Sequence, residues 1–148
     1  MQLKEYTIQR ERITLPGKPV NGVKPFIEVR GICADDITYL LQRHLGPLTR
    51  AVKLWQESKQ DIIRTGNLQQ FILTLLRDFP DITAEVISAC ADELDDEAVQ
   101  TARKLPLASQ LAALTAIARL TQEEAGGLGN LLAEMRSRLE GVAGVAQS

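Results

Sequence analysis

With 148 residues, 45% of them hydrophobic and 24% charged, the chain has the size and composition of one globular domain that needs no staple to hold its core. A formal net charge of −2 excludes the basic footprint of a nucleic-acid or anionic-membrane binder. No apolar run approaches the roughly 20 residues that span a bilayer, and MQLKEYTIQRER has no signal-peptide core, so a cytoplasmic protein is expected.

Aromatic residues make up only 4%, so the core must be built from Leu, Ile, Val and Ala, which suits closely packed helices. Charge is unevenly placed. Residues 1–80 carry 12 Lys/Arg against 8 Asp/Glu, and residues 81–148 carry 5 against 11. Patches of opposite sign can steer partners or self-association.

Residues 4–15 alternate in part, with Tyr6, Ile8, Ile13 and Leu15 apolar. They read as one or two exposed strands with a break near Arg10–Arg12. Pro16-Gly17-Lys18-Pro19 and Asn21-Gly22 are turn chemistry, and Phe26–Arg30 is the next strand, ended by Gly31. A lone hairpin is marginal in water, so it must lie on helices or pair with another chain.

Ala34-Asp35-Asp36 opens a helix whose first-turn acids suit the helix dipole. Its stripe is Ile37, Leu40, Leu41 and Leu45, and it ends near His44–Gly46. Leu48 to about Arg64 forms the next helix, with Pro47 in its first turn and Trp55 among its core residues. Thr65-Gly66-Asn67 stops that helix and caps the next, Leu68–Phe79, which has the cleanest stripe in the chain. Pro80-Asp81 restarts a helix with Ile82, Val86, Ile87 and Cys90 inward. An acidic link, Asp92–Glu97, follows, and Asp95 or Asp96 caps a short helix reaching Arg103.

Leu105-Pro106 starts a helix with Leu107, Leu111, Leu114 and Ala118 at helical spacing. Thr121-Gln122-Glu123-Glu124 reads as a capping box that begins another helix. Gly126, Gly127 and Gly129 loosen that helix, and Leu128, Leu131, Leu132, Met135 and Leu139 give it an apolar face. The expected fold is mainly α, a multi-helix domain with a small N-terminal β-hairpin. Residues 1–30 form the hairpin or small sheet, 31–140 the helical domain and 141–148 a flexible tail.

No constellation of residues carries enzyme chemistry. His44 stands alone, without cysteines or a ligand set for a metal, and reads as a helix-end histidine. Asp92–Glu97 lacks the alternation and glycine of a calcium loop and reads as solvated. Cys33 and Cys90 are expected to be free, buried thiols, with a disulfide between them as the alternative. LTQEEAGGLGNLL looks like a helix-turn-helix, but the glycines come too early and residues 121–148 have the wrong sign for phosphates. No cofactor, metal, nucleic acid or membrane is expected to bind.

Two stretches carry a family likeness. EVRGICADDITYLLQRHLGPL resembles the front of phage tail assembly chaperones, the pre-tape-measure proteins of long-tailed phages. ISACADELDDEAVQTARKLPLASQLAALTAIARLTQEEAGGLGNLLAEM is similar to the same family's order of small-residue helix, acidic link, proline-started helix, Glu-rich cap, glycines and leucine helix. Cys33, where a better capping residue is expected, departs from the pattern, and Asp35 can serve instead.

The resemblance implies a non-enzymatic chaperone that binds the tape measure protein, keeps it soluble and promotes tail-tube assembly. It implies action in the host cytoplasm, contact with the tail tube protein, and absence from the finished virion. It also implies a short form, to which this chain would correspond, and a longer form extended by ribosomal frameshifting. The alternatives are a tail or connector protein retained in the virion and a helix-turn-helix DNA-binding regulator. Phe71, Leu75, Leu128, Leu132 and Met135 are the candidate partner-binding residues, and Gly126, Gly127 and Gly129 a candidate hinge. Alanine at all three glycines should raise thermal stability and weaken client binding. Unchanged client binding in that variant would remove the hinge.

Overall fold

A computed structural model describes residues 2–125 and 136–138 of the protein. Over these residues the fold is mainly α, with a small N-terminal antiparallel sheet, as the residue pattern predicts. The strands are β1 (Arg10–Thr14) and β2 (Phe26–Arg30). The helices are α1 (Ala34–Arg43), α2 (Leu45–Thr65), α3 (Leu68–Asp78), α4 (Pro80–Cys90), α5 (Asp96–Arg103) and α6 (Leu107–Ala125).

β1 pairs with β2 from Arg10 opposite Arg30 to Thr14 opposite Phe26. Side chains alternate across a strand, so Ile13 and Val29 enter the core while Arg12 and Glu28 point outward and pair with each other. The expected break at Arg10–Arg12 is absent. β1 begins at Arg10 and includes both arginines, because the outward face tolerates charge and each finds a carboxylate, Arg10 at Asp92 and Arg12 at Glu28. Tyr6 and Ile8 lie outside the sheet and are exposed, and Leu3–Glu5 is a single 3-10 turn. The hairpin lies on the helices rather than standing alone. Ile13 and Val29 share one core with Ile72, Ile87, Leu114 and Ile117.

α1 begins as expected, but its cap is Asp36 and not Asp35. Asp36 Oδ2 accepts the Cys33 N–H at 2.9 Å, which satisfies one of the helix's orphan donors. α2 starts at Leu45, three residues before the expected Leu48, because the His44 carbonyl accepts the Leu48 N–H and closes an extra turn. Gly66 ends α2 in the left-handed region at φ 68°, and Asn67 caps α3 by accepting from Gln70. Asp95 caps α5 in the same way, through the Ala98 N–H at 2.7 Å.

Helix α4 is buried on almost every side and touches α1, α3, α5, α6 and β2. Ile82, Ala84, Ile87, Ala89 and Cys90 supply its apolar surface, and Thr83, Glu85 and Ser88 are buried with them. Its end is a Schellman motif with Asp92 in the left-handed region at φ 58°. The Glu93 N–H bonds to the Ser88 carbonyl, and the Asp92 N–H to that of Ala89. A second cluster, of Ile37, Leu40, Leu48, Val52 and Ile82, joins α1 and α2 to α4.

The capping box expected at Thr121 does not form. α6 runs unbroken through that residue to Ala125, and Thr121 is fully buried. Its hydroxyl donates to the Ile117 carbonyl at 2.7 Å and accepts the Ile32 N–H at 2.8 Å. The threonine ties the turn after β2 onto α6 instead of starting a helix. Leu107, expected on the inward stripe, is exposed, and the buried face of α6 is instead Ala113, Leu114, Ala116, Ile117 and Leu120.

Gly31 makes that junction possible. A Cβ on Gly31 would stand 2.9 Å from the Thr121 nitrogen and 3.1 Å from the Leu120 carbonyl carbon, both unyielding backbone atoms. Gly31→Ala should therefore cost about 1–3 kcal/mol through overpacking. Thr121→Val, which strands the Ile32 N–H, should cost about 1–3 kcal/mol as well. Denaturant melts of both variants test this, and wild-type midpoints would refute the close contact.

Candidate protein-binding site

The sequence nominates apolar surface for a partner. The helices line a partly open apolar cavity of about 130 Å3 between α1, α2, α3, α4 and α6, with Leu40, Val52, Phe71, Leu75, Phe79 and Ile117 on its wall. The one polar side chain on that wall is Thr83, and its hydroxyl donates to the Phe79 and Pro80 carbonyls. Such a wall offers no ligand for a metal and suits an apolar guest. Trp55 buttresses the wall, edge-on to Phe71 with ring centroids 5.3 Å apart, and is a core residue as expected.

Of the candidate partner-binding residues, Phe71 and Leu75 come together on this wall, Phe71 buried and Leu75 half-buried. Leu128, Leu132, Met135, Gly126, Gly127 and Gly129 lie outside the described residues. Leu40, Val52, Phe79 and Ile117 were missed as site residues. Leu40, Val52 and Ile117 sit on α1, α2 and α6, and no local signal links them; Phe79, in the joint between α3 and α4, continues the stripe of Phe71 and Leu75. The helical residues 136–138 contribute Arg136, whose guanidinium lies 2.9 and 3.0 Å from the Gln56 side-chain amide on α2, with the amide oriented so that its oxygen accepts.

Two buried ionic clusters set the geometry around the cavity. The first centres on Arg30, at the end of β2. Its Nη1 donates to Asp36 Oδ2 at 2.7 Å and to the Gly31 carbonyl at 2.9 Å. Its Nη2 donates to Asp36 Oδ1 and to the Ala89 carbonyl, and its Nε to Asp92 Oδ1. Each of the five guanidinium N–H groups is thus used. The second cluster is Glu85 on α4, a buried carboxylate that receives Arg43 at 3.2 Å and lies 2.6 Å from His44 Nε2. His44 is therefore more than a helix-end residue, because it partners a core carboxylate 41 positions away.

Titration follows from these contacts. Burial works against charge on Asp36, but hydrogen bonds from Arg30 and the Cys33 N–H outweigh it and hold the carboxyl below the usual range. Asp92 is also depressed, its desolvation outweighed by Arg10 and Arg30. Asp92 thus departs from the solvated reading of the acidic link. Burial, helped by the Asp36 charge, pushes the Cys90 thiol well up, which makes it inert. Cys33 and Cys90 are both free, as expected, but only Cys90 is buried and Cys33 is exposed. Among the described residues no group of three His, Cys, Asp or Glu could hold a metal ion, and no helix is long and apolar enough to cross a membrane.

What this arrangement can do is bind: it offers apolar volume held by a rigid ionic frame. Residues 1–148, the whole chain, match the family described as pre-tape measure protein. The chain belongs to this family. Its members have a role in phage tail assembly, and their name ties them to the tape measure protein. No curated protein and no solved structure matches the chain. For a pre-tape measure protein, an apolar cavity within a helical body is an apt feature, since its namesake partner is another protein.

Asp36 and Asp92 both have depressed folded-state pKa values. Their stabilisation is fully present above the unfolded carboxylate range, near pH 4, and is lost as pH falls through the folded values. Acid titration of the melting temperature should therefore show a steep loss below about pH 4. Asp36→Asn should flatten that loss and cost about 3–5 kcal/mol at neutral pH, because Arg30 is left buried against a neutral group. An unchanged acid profile in Asp36→Asn would refute the assignment.

Proposed function

We propose that the protein is a non-enzymatic tail assembly chaperone that binds the tape measure protein, keeps it soluble and hands it to the growing tail tube. The observation that carries this reading is the whole-chain family match, joined to an apolar cavity between α1, α2, α3, α4 and α6 that has Phe71 and Leu75 on its wall. A long helical client exposes apolar stripes that aggregate in water. An apolar groove between helices takes such a stripe by inserting one or two of its anchors. The chain acts in the host cytoplasm and leaves before the particle is finished.

The test is co-expression with the tape measure protein of the same phage. The client should be soluble with the chain and aggregated without it. Leu75→Glu, at a half-buried position on the cavity wall, should reduce the soluble client several-fold while the circular dichroism spectrum stays unchanged. A tape measure protein equally soluble with and without the chain overturns the chaperone role. Mass spectrometry of purified particles should find no trace of the chain, and a stoichiometric amount would make it a virion component instead.

A further inference from the structure

The hairpin ends in a stiff apolar ribbon. Val20 and Val23 form an antiparallel bridge, exchanging hydrogen bonds of 2.8 and 3.0 Å. Asn21 (φ 53°) and Gly22 (φ 80°) between them supply the left-handed pair of a type I′ turn. Pro16, Pro19 and Pro25 restrict the backbone on either side. At this rigid tip the two valines are 69% and 52% exposed. Lys18 and Lys24 flank them, and neither has an ion-pair partner among the described residues.

A cleft of about 310 Å3 lies at the base of the same hairpin, against α4 and α5. Leu15, Ile27 and Ile87 form its apolar floor, and Glu93 and Glu97 stand on its wall, also without ion-pair partners among the described residues. Ser88 lines it too. Ser88 is only 3% exposed, and its hydroxyl has no hydrogen-bond partner among the described residues. The cleft calls for an apolar ligand carried between two cations.

The chain itself carries that ligand. We propose that the cleft receives the Lys18–Lys24 ribbon of a second copy, and that two copies exchange ribbons about a two-fold axis. Val20 and Val23 cover the apolar floor, and Lys18 and Lys24 face Glu93 and Glu97. No residue of the turn lines the cleft of its own chain. Leu15 and Ile27 connect ribbon and cleft within a few residues, so both lie at one end of the molecule and a single rotation engages both. A ribbon already fixed by its turn and prolines loses little entropy on docking. This pairing does not rest on the chaperone reading.

Sedimentation equilibrium of the full chain tests it. The wild type should show a monomer–dimer equilibrium that weakens with added salt. Lys18→Glu with Lys24→Glu should raise the dissociation constant at least about tenfold, and Glu93→Lys with Glu97→Lys should do the same. The four changes together should restore dimerisation, since they exchange the charges across the interface. All four positions are exposed, and thermal melts confirm that each variant is folded. Val20→Asp should also give monomer. The proposal is overturned by a wild type that is monomeric at high micromolar concentration, by a dimer indifferent to the lysine reversals, or by growth beyond dimers. Loss of tape measure binding in the lysine variant with no change of oligomeric state also overturns it, and would assign the cleft to the client.

Discussion

One guanidinium holds the parts of this protein in register. Arg30 closes β2, and its five donors reach the first turn of α1 at Asp36, the last turn of α4 at Ala89, and Asp92 just beyond. A buried ion pair gains little over a well-packed apolar group in net stability. Its consequence here is geometric, since a single placement of sheet, α1 and α4 satisfies every donor at once. Asp36 has a second duty, because the same carboxylate caps α1 through the Cys33 N–H. Asp92, held in the left-handed region at the end of α4, is bound from both strands, by Arg10 and by Arg30.

The next residue completes the arrangement. Gly31 lets the backbone after β2 lie directly on α6, and Ile32 then donates to the Thr121 hydroxyl. Arg119 and Glu11 pair across the same interface. Strand, turn and helix are thereby fixed on one side of α4, and Glu85 with Arg43 and His44 fixes α1 on another. The apolar cavity is what remains between helices held at such fixed positions. A frame of ionic contacts thus surrounds the apolar volume.

Much of the fold was legible because it is written locally. The boundaries of β2, α3, α4 and α5 follow from Gly31, from Gly66 and Asn67, from Pro80, and from Asp95, each acting within one turn of its own position. The misreadings have the opposite cause. Thr121 with Glu124 has the spacing of a capping box, yet the helix does not stop there, because the buried hydroxyl is used by Ile32, 89 positions away. Arg10 and Arg12 interrupt an apolar pattern but not a strand, since the outward face of the sheet admits charge when acids lie opposite. His44 and Asp92 looked solvent-bound because their partners, Glu85 and Arg30, are remote in sequence. For the candidate site, the stripe on α3 was visible as apolar spacing, which placed Phe71 and Leu75. Nothing local shows that Leu40, Val52 and Ile117 meet them.

The sequence by itself determined the class of the protein: mainly helical, with a hairpin at the front, an aliphatic core, no catalytic constellation, and the order of segments that marks its family. Those properties depend on residue type, period and capping, which act over a few positions. Tertiary structure alone decided that a buried arginine joins sheet to helices, that Thr121 serves as a tie, that an apolar cavity opens between five helices, and that an acidic cleft lies beneath the apolar tip of the hairpin. Each of these needs groups brought together across tens of residues, and that requires the chain to have already packed.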